Sequence, residues 1–422
     1  MKKVKIAIAG LGTVGRGVLE SLRERKSSLM ARTGIEFEVS AVFDRSYGKK
    51  KDILGNIPAS DNPEILYKDP EIQIVAELIG GQEPARGIIL SSIENGKSVV
   101  TANKALLAAH GREIFQKAKE KNVSVGFEAA VAGALPVIKT LRRTLVVNEI
   151  RSIYGILNGT CNFIITKMQN EKMDYADALK LAQQKGFAES DPSFDVNGND
   201  AAQKLALLSG IAFDNFIPED AVSVEGITSI SQLDLSIAQG MGWIIRLLAV
   251  AKRYENGSCL LRVHPAMISE NHILAHVLDE KNAVLFDTSH SGPALIMGNG
   301  AGSLPTAAAV ISDLVSVSRN ESPEIWMLGN VPVKPVTNVH YRYYLRFQTK
   351  DQPGVLSEIA HILAQNNISI ASVHQHEGNE PVNVVVITHD AGESNMEAAL
   401  KAIDNLSVVL VPTIRIRILE NL

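Results

Sequence analysis

Residues Val4-Lys-Ile-Ala-Ile-Ala-Gly10-Leu-Gly12-Thr-Val-Gly15 run from an apolar, strand-like segment straight into a glycine-rich turn. Residues 14–29 then have helical spacing. Each glycine has its own task in such a turn. The first permits the tight bend, the second lets the backbone approach a pyrophosphate, and the third lets helix and strand pack closely. A helix starting here offers unpaired N–H groups and partial positive charge to an anion. Gly10, Leu11, Gly12, Thr13, Val14 and Gly15 are therefore the expected phosphate loop of a dinucleotide site. Out of context, an ordinary tight strand-to-helix turn reads the same way.

The neighbouring sequence supports the dinucleotide reading. Apolar runs at 37–43, 72–79, 99–101 and 123–127 alternate with helical stretches, one of them near Pro84 and ending at Gly96. Strand, helix, strand in succession predicts a parallel sheet covered on both faces. The second run ends at Asp44, where an acid can bind the adenosine ribose of NAD. Arg45 and Lys49, Lys50 and Lys51 follow and could instead hold the 2′-phosphate of NADP or form a solvated loop.

The chain has 422 residues, enough for two to three domains. Its net charge of −4 offers no electrostatic footprint for nucleic acid. Two cysteines, Cys161 and Cys259, cannot form a disulfide framework, which fits a reducing, cytoplasmic setting. No apolar run approaches the roughly 18 residues a membrane span needs. The opening MKKVKIAIAG is too short in its apolar part for a secretory signal and runs into glycines.

The pattern changes near Asn148. A strand is expected over 150–157 and helices over 176–185, 201–208 and 237–251, giving a mixed α+β domain. Gly298-Asn-Gly-Ala-Gly-Ser-Leu-Pro305 precedes an apolar helix over 306–317. That turn could bring amides to a ligand or simply cap the helix. Asn330, Pro323, Pro332 and Pro335 mark a linker. From Tyr341 onward the order reads β-α-β-β-α-β, a ferredoxin-like module.

Two groups of residues carry potential chemistry. Lys104 follows a short strand, where ligands of open parallel sheets bind; it could reach a substrate oxygen or merely start a helix. The block from Gly186 to Lys204 is rich in carboxylates, including Glu189, Asp195 and Asp200. Asp200 and Lys204 share a helix face. Spacing alone makes them a routine ion pair. Aimed at one pocket with Lys104, they would suit carbonyl reduction, with an ammonium giving a proton to the developing alkoxide.

The stretches GLGTVGRGV from Gly10, TANKALLA from Thr101, FEAAVAGALP from Phe127, ILNGTCNFI from Ile156, GFAESDPSFDVNGNDAAQKLALL from Gly186 and GAGSLPTAAAV from Gly300 together resemble the homoserine dehydrogenase family, in its long form with a C-terminal ACT domain. The resemblance spans essentially the whole chain, and the block from Gly186 is its most specific part. Asn299 departs from the family's usual proline.

The resemblance implies an α/β architecture in three parts. Residues 1–147 would form a Rossmann-type NAD(P)-binding domain, completed by 300–330. Residues 148–299 would form an α+β catalytic and dimerisation domain, followed by a linker over 331–340 and the ACT domain over 341–422. It also implies interconversion of L-aspartate 4-semialdehyde and L-homoserine with NADP or NAD. Lys204 would be the acid/base, Lys104 would bind substrate and cofactor, and Glu189 would hold the substrate ammonium, with Asp195 and Asp200 completing the pocket.

A sodium ion would lie in the turn of Glu128, Val131, Gly133 and Leu135, a segment that otherwise reads as an ion-free strand-to-helix turn. An amino-acid effector, threonine in this family, would bind near Gly354 and Asn367, which locally read as a turn and a helix cap. The expected assembly is a homodimer or homotetramer, with no nucleic-acid or membrane partner. Two other readings stay open. One is a different Rossmann amino-acid or semialdehyde dehydrogenase, with Cys161 as nucleophile if it acylates. The other is a non-catalytic sensor combining a nucleotide domain with ACT.

Overall fold

A computed structural model describes residues 2–319, 339–375 and 381–420. The expected linker over 331–340, its marker residues Pro323, Asn330, Pro332 and Pro335, and the end of 300–330 lie outside these residues, apart from Val339 and His340. The chain forms two compact units: Met1–Leu157 with Asp200–Val222 and Lys281–Val331, and Asn158–Asn199 with Ser223–Glu280 and Pro332–Leu422.

The first unit is built on a six-stranded sheet. In spatial order its strands are Ala59–Ser60, Ile35–Phe43, Lys2–Ala9, Ile74–Glu77, Ser98–Thr101 and Val125–Gly126, all parallel. The central strand alternates its side chains between two cores. Val4, Ile6 and Ile8 face one side with Val18, Leu19, Val310 and Leu314; Ala7 and Ala9 face the other with Phe43, Val75 and Ile88. The sheet is thus covered on both faces, which is why its strands read as continuous apolar runs. The strand order is that of the dinucleotide-binding Rossmann fold.

Helix Ser303–Ser318 lies against helix Thr13–Glu24. Gly17 permits the contact, since a Cβ there would sit 2.7 Å from the Ser303 hydroxyl. Three antiparallel strands, Ile150–Ile156, Lys281–Thr288 and Ala294–Asn299, also belong to this unit.

The second unit carries the strands Trp243–Arg253, Cys259–Ser269, Ile414–Leu419, His340–Thr349, Val382–Thr388 and Ile370–Gln375 in that spatial order. With helices Val355–Gln365 and Glu393–Ile403, the C-terminal part has the expected β-α-β-β-α-β order. Its last strand pairs in parallel with Cys259–Ser269. The module therefore shares a sheet with the strands that precede it in sequence.

Four expectations need correction. The helix expected over 237–251 is a helix, Gln232–Gly240, followed by a strand, Trp243–Arg253. Gly242, at φ +77°, turns the chain between them, and the strand is so apolar on both faces that no period betrays it. The helix expected over 14–29 is two helices meeting at Arg25, Thr13–Glu24 and Lys26–Thr33. The strand expected over 123–127 is only Val125–Gly126. The final strand, expected over 408–418, is Ile414–Leu419. Among the described residues, no helix is long and apolar enough to cross a membrane.

Candidate active site

The three glycines of the loop differ in their surroundings. Gly10 has φ +94°, a conformation that L side chains rarely adopt. A Cβ at Gly15 would lie 2.0 Å from the Gly10 carbonyl, so helix and turn touch there. A Cβ at Gly12 would meet nothing within 4 Å. Among the described residues nothing demands this glycine; its open side is where a pyrophosphate would approach the backbone. Thr13 and Val14 begin the helix with their amides toward its N-terminus.

Asp44 is tied to the same loop. Its Oδ2 accepts from the Leu11 amide at 2.8 Å and from Lys50 Nζ at 2.7 Å, and its Oδ1 accepts from the Ser46 amide and hydroxyl, each at 2.8 Å. Burial alone would raise its pKa, but Lys50, the Leu11 amide and Ser46 outweigh burial and hold it at about 2. Lys50 is thus drawn to the carboxylate, whereas Arg45, Lys49 and Lys51 are exposed. The residues present fit a dinucleotide: an open glycine edge, a helix N-terminus and a fixed anion at the end of the second strand.

The next two strands in the sheet lead to the lysines. Buried Glu77 accepts from the Thr101 hydroxyl at 2.7 Å and from the Ile79 amide at 2.8 Å. Asn103 caps helix Lys104–Lys121 through the Leu106 amide and donates to the Gly81 carbonyl at 2.6 Å. This fixes Lys104 on the helix's first turn. It does start a helix, and its Nζ also lies 3.3 Å from Asp200 Oδ1.

Asp200 and Lys204 sit on helix Asn199–Ala212. Lys204 Nζ donates to Asp200 Oδ2 at 2.6 Å and to the Leu157 carbonyl at 2.8 Å. The pair is therefore more than a helix-surface bridge. One nearly buried carboxylate binds two ammonium groups that come from distant parts of the sequence.

Glu189 and Asp195 belong to the second unit. Glu189 is exposed. Asp195, on the short helix Ser193–Val196, accepts from Asn158 Nδ2 at 2.7 Å. Asn158 also caps helix Gly159–Glu171 through the Cys161 amide. Cys161 is buried, and its Sγ donates to the Asp195 carbonyl at 3.2 Å. This contact suits packing rather than a nucleophile.

In the turn that follows the sixth strand, the Glu128 carboxylate accepts from the Ile138 and Lys139 amides at 2.8 and 2.9 Å. Burial, together with nearby Asp313, raises its pKa to about 7. The amides take only part of the carboxylate's accepting capacity, and a cation here would also draw on backbone carbonyls, including those of Val131, Gly133 and Leu135. Among the described residues, no group of three or more His, Cys, Asp or Glu side chains could hold a metal. In the C-terminal module, Gly354 at φ +96° precedes helix Val355–Gln365, and exposed Asn367 has φ +56°.

Sequence reasoning missed Gly17, Asn158 and Glu77. Asn158 lies inside a quoted motif but carries no reactive group to draw the eye. Glu77 shows nothing until the strands are paired.

A Rossmann sheet, an open glycine loop with its fixed aspartate, and a lysine–aspartate–lysine cluster near the carboxyl ends of the strands define an NAD(P)-dependent oxidoreductase. The family model for homoserine dehydrogenase matches residues 136–315, the model for its NAD binding domain matches 10–128, and the ACT domain model matches 343–408. A homoserine dehydrogenase from Pseudomonas aeruginosa is 42% identical over 432 residues, covering 99% of both chains. The crystal structure of a homoserine dehydrogenase from Thiobacillus denitrificans superposes with a TM-score of 0.92 at 42% identity, covering 100% of this chain and 99% of that one. A hyperthermophilic archaeal homoserine dehydrogenase, solved in complex with NADPH, matches with a TM-score of 0.64 at 27% identity over 76% of this chain and 99% of its own. The chain belongs to the homoserine dehydrogenase family.

Proposed function

We propose that the protein reversibly reduces L-aspartate 4-semialdehyde to L-homoserine, a step toward threonine, methionine and isoleucine. The observation that carries this reading is Asp200 held between Lys104 and Lys204. NAD(P)H, when bound, supplies the hydride for the aldehyde carbon. Lys204 gives its proton to the aldehyde oxygen as negative charge develops there. Asp200 and the Leu157 carbonyl keep the ammonium aimed. Lys104 adds a second positive charge for the oxygen. Glu189 binds the substrate ammonium, with Asp195 completing the polar pocket. Oxidation of NADPH at 340 nm on adding aspartate semialdehyde tests the reading. No turnover with either cofactor would reject it.

Gly10, Leu11, Gly12, Thr13, Val14 and Gly15 would cradle the pyrophosphate, and Asp44 the ribose. Both NADP and NAD are expected to serve. Arg45 is the best-placed exposed cation for a 2′-phosphate, because it directly follows Asp44. Arg45→Ala should lower the NADP-to-NAD ratio of kcat/KM by about tenfold, the worth of one charged contact. An unchanged ratio would show that Arg45 does not read the phosphate. A sodium ion held by the carbonyls of Glu128, Val131, Gly133 and Leu135, a homodimeric or homotetrameric assembly, and a cytoplasmic location complete the reading.

Threonine is the proposed effector, bound near Gly354 and Asn367. Deleting everything after Pro335 would strip strand Cys259–Ser269 of its partner Ile414–Leu419 and buried Arg262 of Glu393. Deletion would therefore confound regulation with stability. Asn367→Ala in the full chain is the better test. It should raise the threonine concentration for half-inhibition by about tenfold. A flat response of the parent enzyme up to millimolar threonine would remove the effector from the proposal.

A further inference from the structure

Asn282 lies in strand Lys281–Thr288 and is only 1% exposed. Its Nδ2 donates to the Leu157 carbonyl at 2.9 Å, the oxygen that also accepts from Lys204 at 2.8 Å. Strand pairing causes the meeting: Ala283 is opposite Ile156, so the residues next to them come together. A Cβ at Gly300 would stand 2.1 Å from Asn282 Cγ, so the glycine turn before helix Ser303–Ser318 closes directly on the amide.

Oδ1 of Asn282 is buried and has no hydrogen-bond partner among the described residues. An amide with half its capacity unmet is unfavourable beside an apolar residue of similar shape. What it alone supplies is the N–H that orients the Leu157 carbonyl. We infer that Asn282 is a positioning residue for the Lys204 ammonium, setting through Leu157 where the proton donor points. The inference rests on Lys204 being that donor.

Two variants of the full-length enzyme test it by kcat, KM and the pH dependence of aldehyde reduction. Asn282→Ala should lower kcat at least about tenfold, toward the 10²-fold cost of a misplaced catalytic group, while the KM for the cofactor stays within about twofold. Asn282→Leu keeps much of the side chain's shape but has no N–H for the Leu157 carbonyl. It should lose kcat by as much as Asn282→Ala, again with the KM for the cofactor within about twofold. A kcat within about twofold of the parent in Asn282→Ala overturns the inference, whether or not Asn282→Leu can be purified. So does a kcat that Asn282→Leu retains, since filling the space would then suffice without the N–H. Failure of the underlying reading looks different: the alkaline fall would then persist in Lys204→Ala.

Discussion

Replacing Lys204 by alanine is expected to lower kcat for aldehyde reduction by roughly 10²–10⁴-fold, the usual contribution of a positioned proton donor. The geometry singles out this lysine. It touches both Asp200 and the Leu157 carbonyl, so its ammonium has two fixed acceptors and one remaining N–H for a substrate oxygen. The fold should survive the change, since alanine is the best helix former and the side chain lies at the edge of helix Asn199–Ala212. The KM for the cofactor should hardly move, because the glycine loop is untouched. Lys204→Arg should be nearly as inactive. It keeps the charge, but a guanidinium does not release its proton near neutral pH. If Lys204→Ala keeps most of its kcat, the proton comes from elsewhere. If only the arginine variant is active, the lysine serves as a charge and not as an acid.

The nucleotide-binding part was legible because its physics is local. Strands buried on both faces leave continuous apolar runs, Gly10 is required by its own φ of +94°, and Gly15 by the nearby Gly10 carbonyl. The strand Trp243–Arg253 was not legible. Its residues from Ile245 to Ala251 are buried, so no alternation separates a strand from a helix. The active-site cluster was half legible. Asp200 and Lys204 are four residues apart on one helix, but spacing alone makes them a routine ion pair. Only the sheet brings Lys104 to the same carboxylate. Chemistry assembled from distant segments leaves no periodic trace, and the family motifs stood in for the missing geometry. The cluster of Arg262, Arg415 and Arg417 around Glu393, Glu225 and Tyr343 in the second unit left no trace at all, because its members lie on five separated segments.

That cluster yields the other large expected effect. Glu393→Gln should destabilise the protein by about 3–5 kcal/mol, the cost of breaking a buried ion pair from one side. Glu393 is fully buried at the start of helix Glu393–Ile403. Its carboxylate meets Arg262 at 3.2 Å, Arg415 at 3.2 Å, the Tyr343 hydroxyl at 2.8 Å, and Arg417. Glutamine keeps the shape but removes the charge, leaving three guanidinium groups with Glu225 alone. Burial by itself would raise the Glu393 pKa, but the arginines, Arg417 foremost, outweigh burial and hold it at about 2 against an ordinary 4.5. A depressed carboxylate contributes stability that is fully present above the ordinary pKa and is lost as pH falls through the folded one. The window is therefore pH 4.5 down to about 2, and the contribution is on the order of 3 kcal/mol. Thermal denaturation of parent and variant should show a gap of roughly 10 °C at neutral pH, narrowing as the pH falls through that window. A gap below about 2 °C at neutral pH, or one that stays constant into acid, would mean that packing rather than charge holds the C-terminal module to strand Cys259–Ser269.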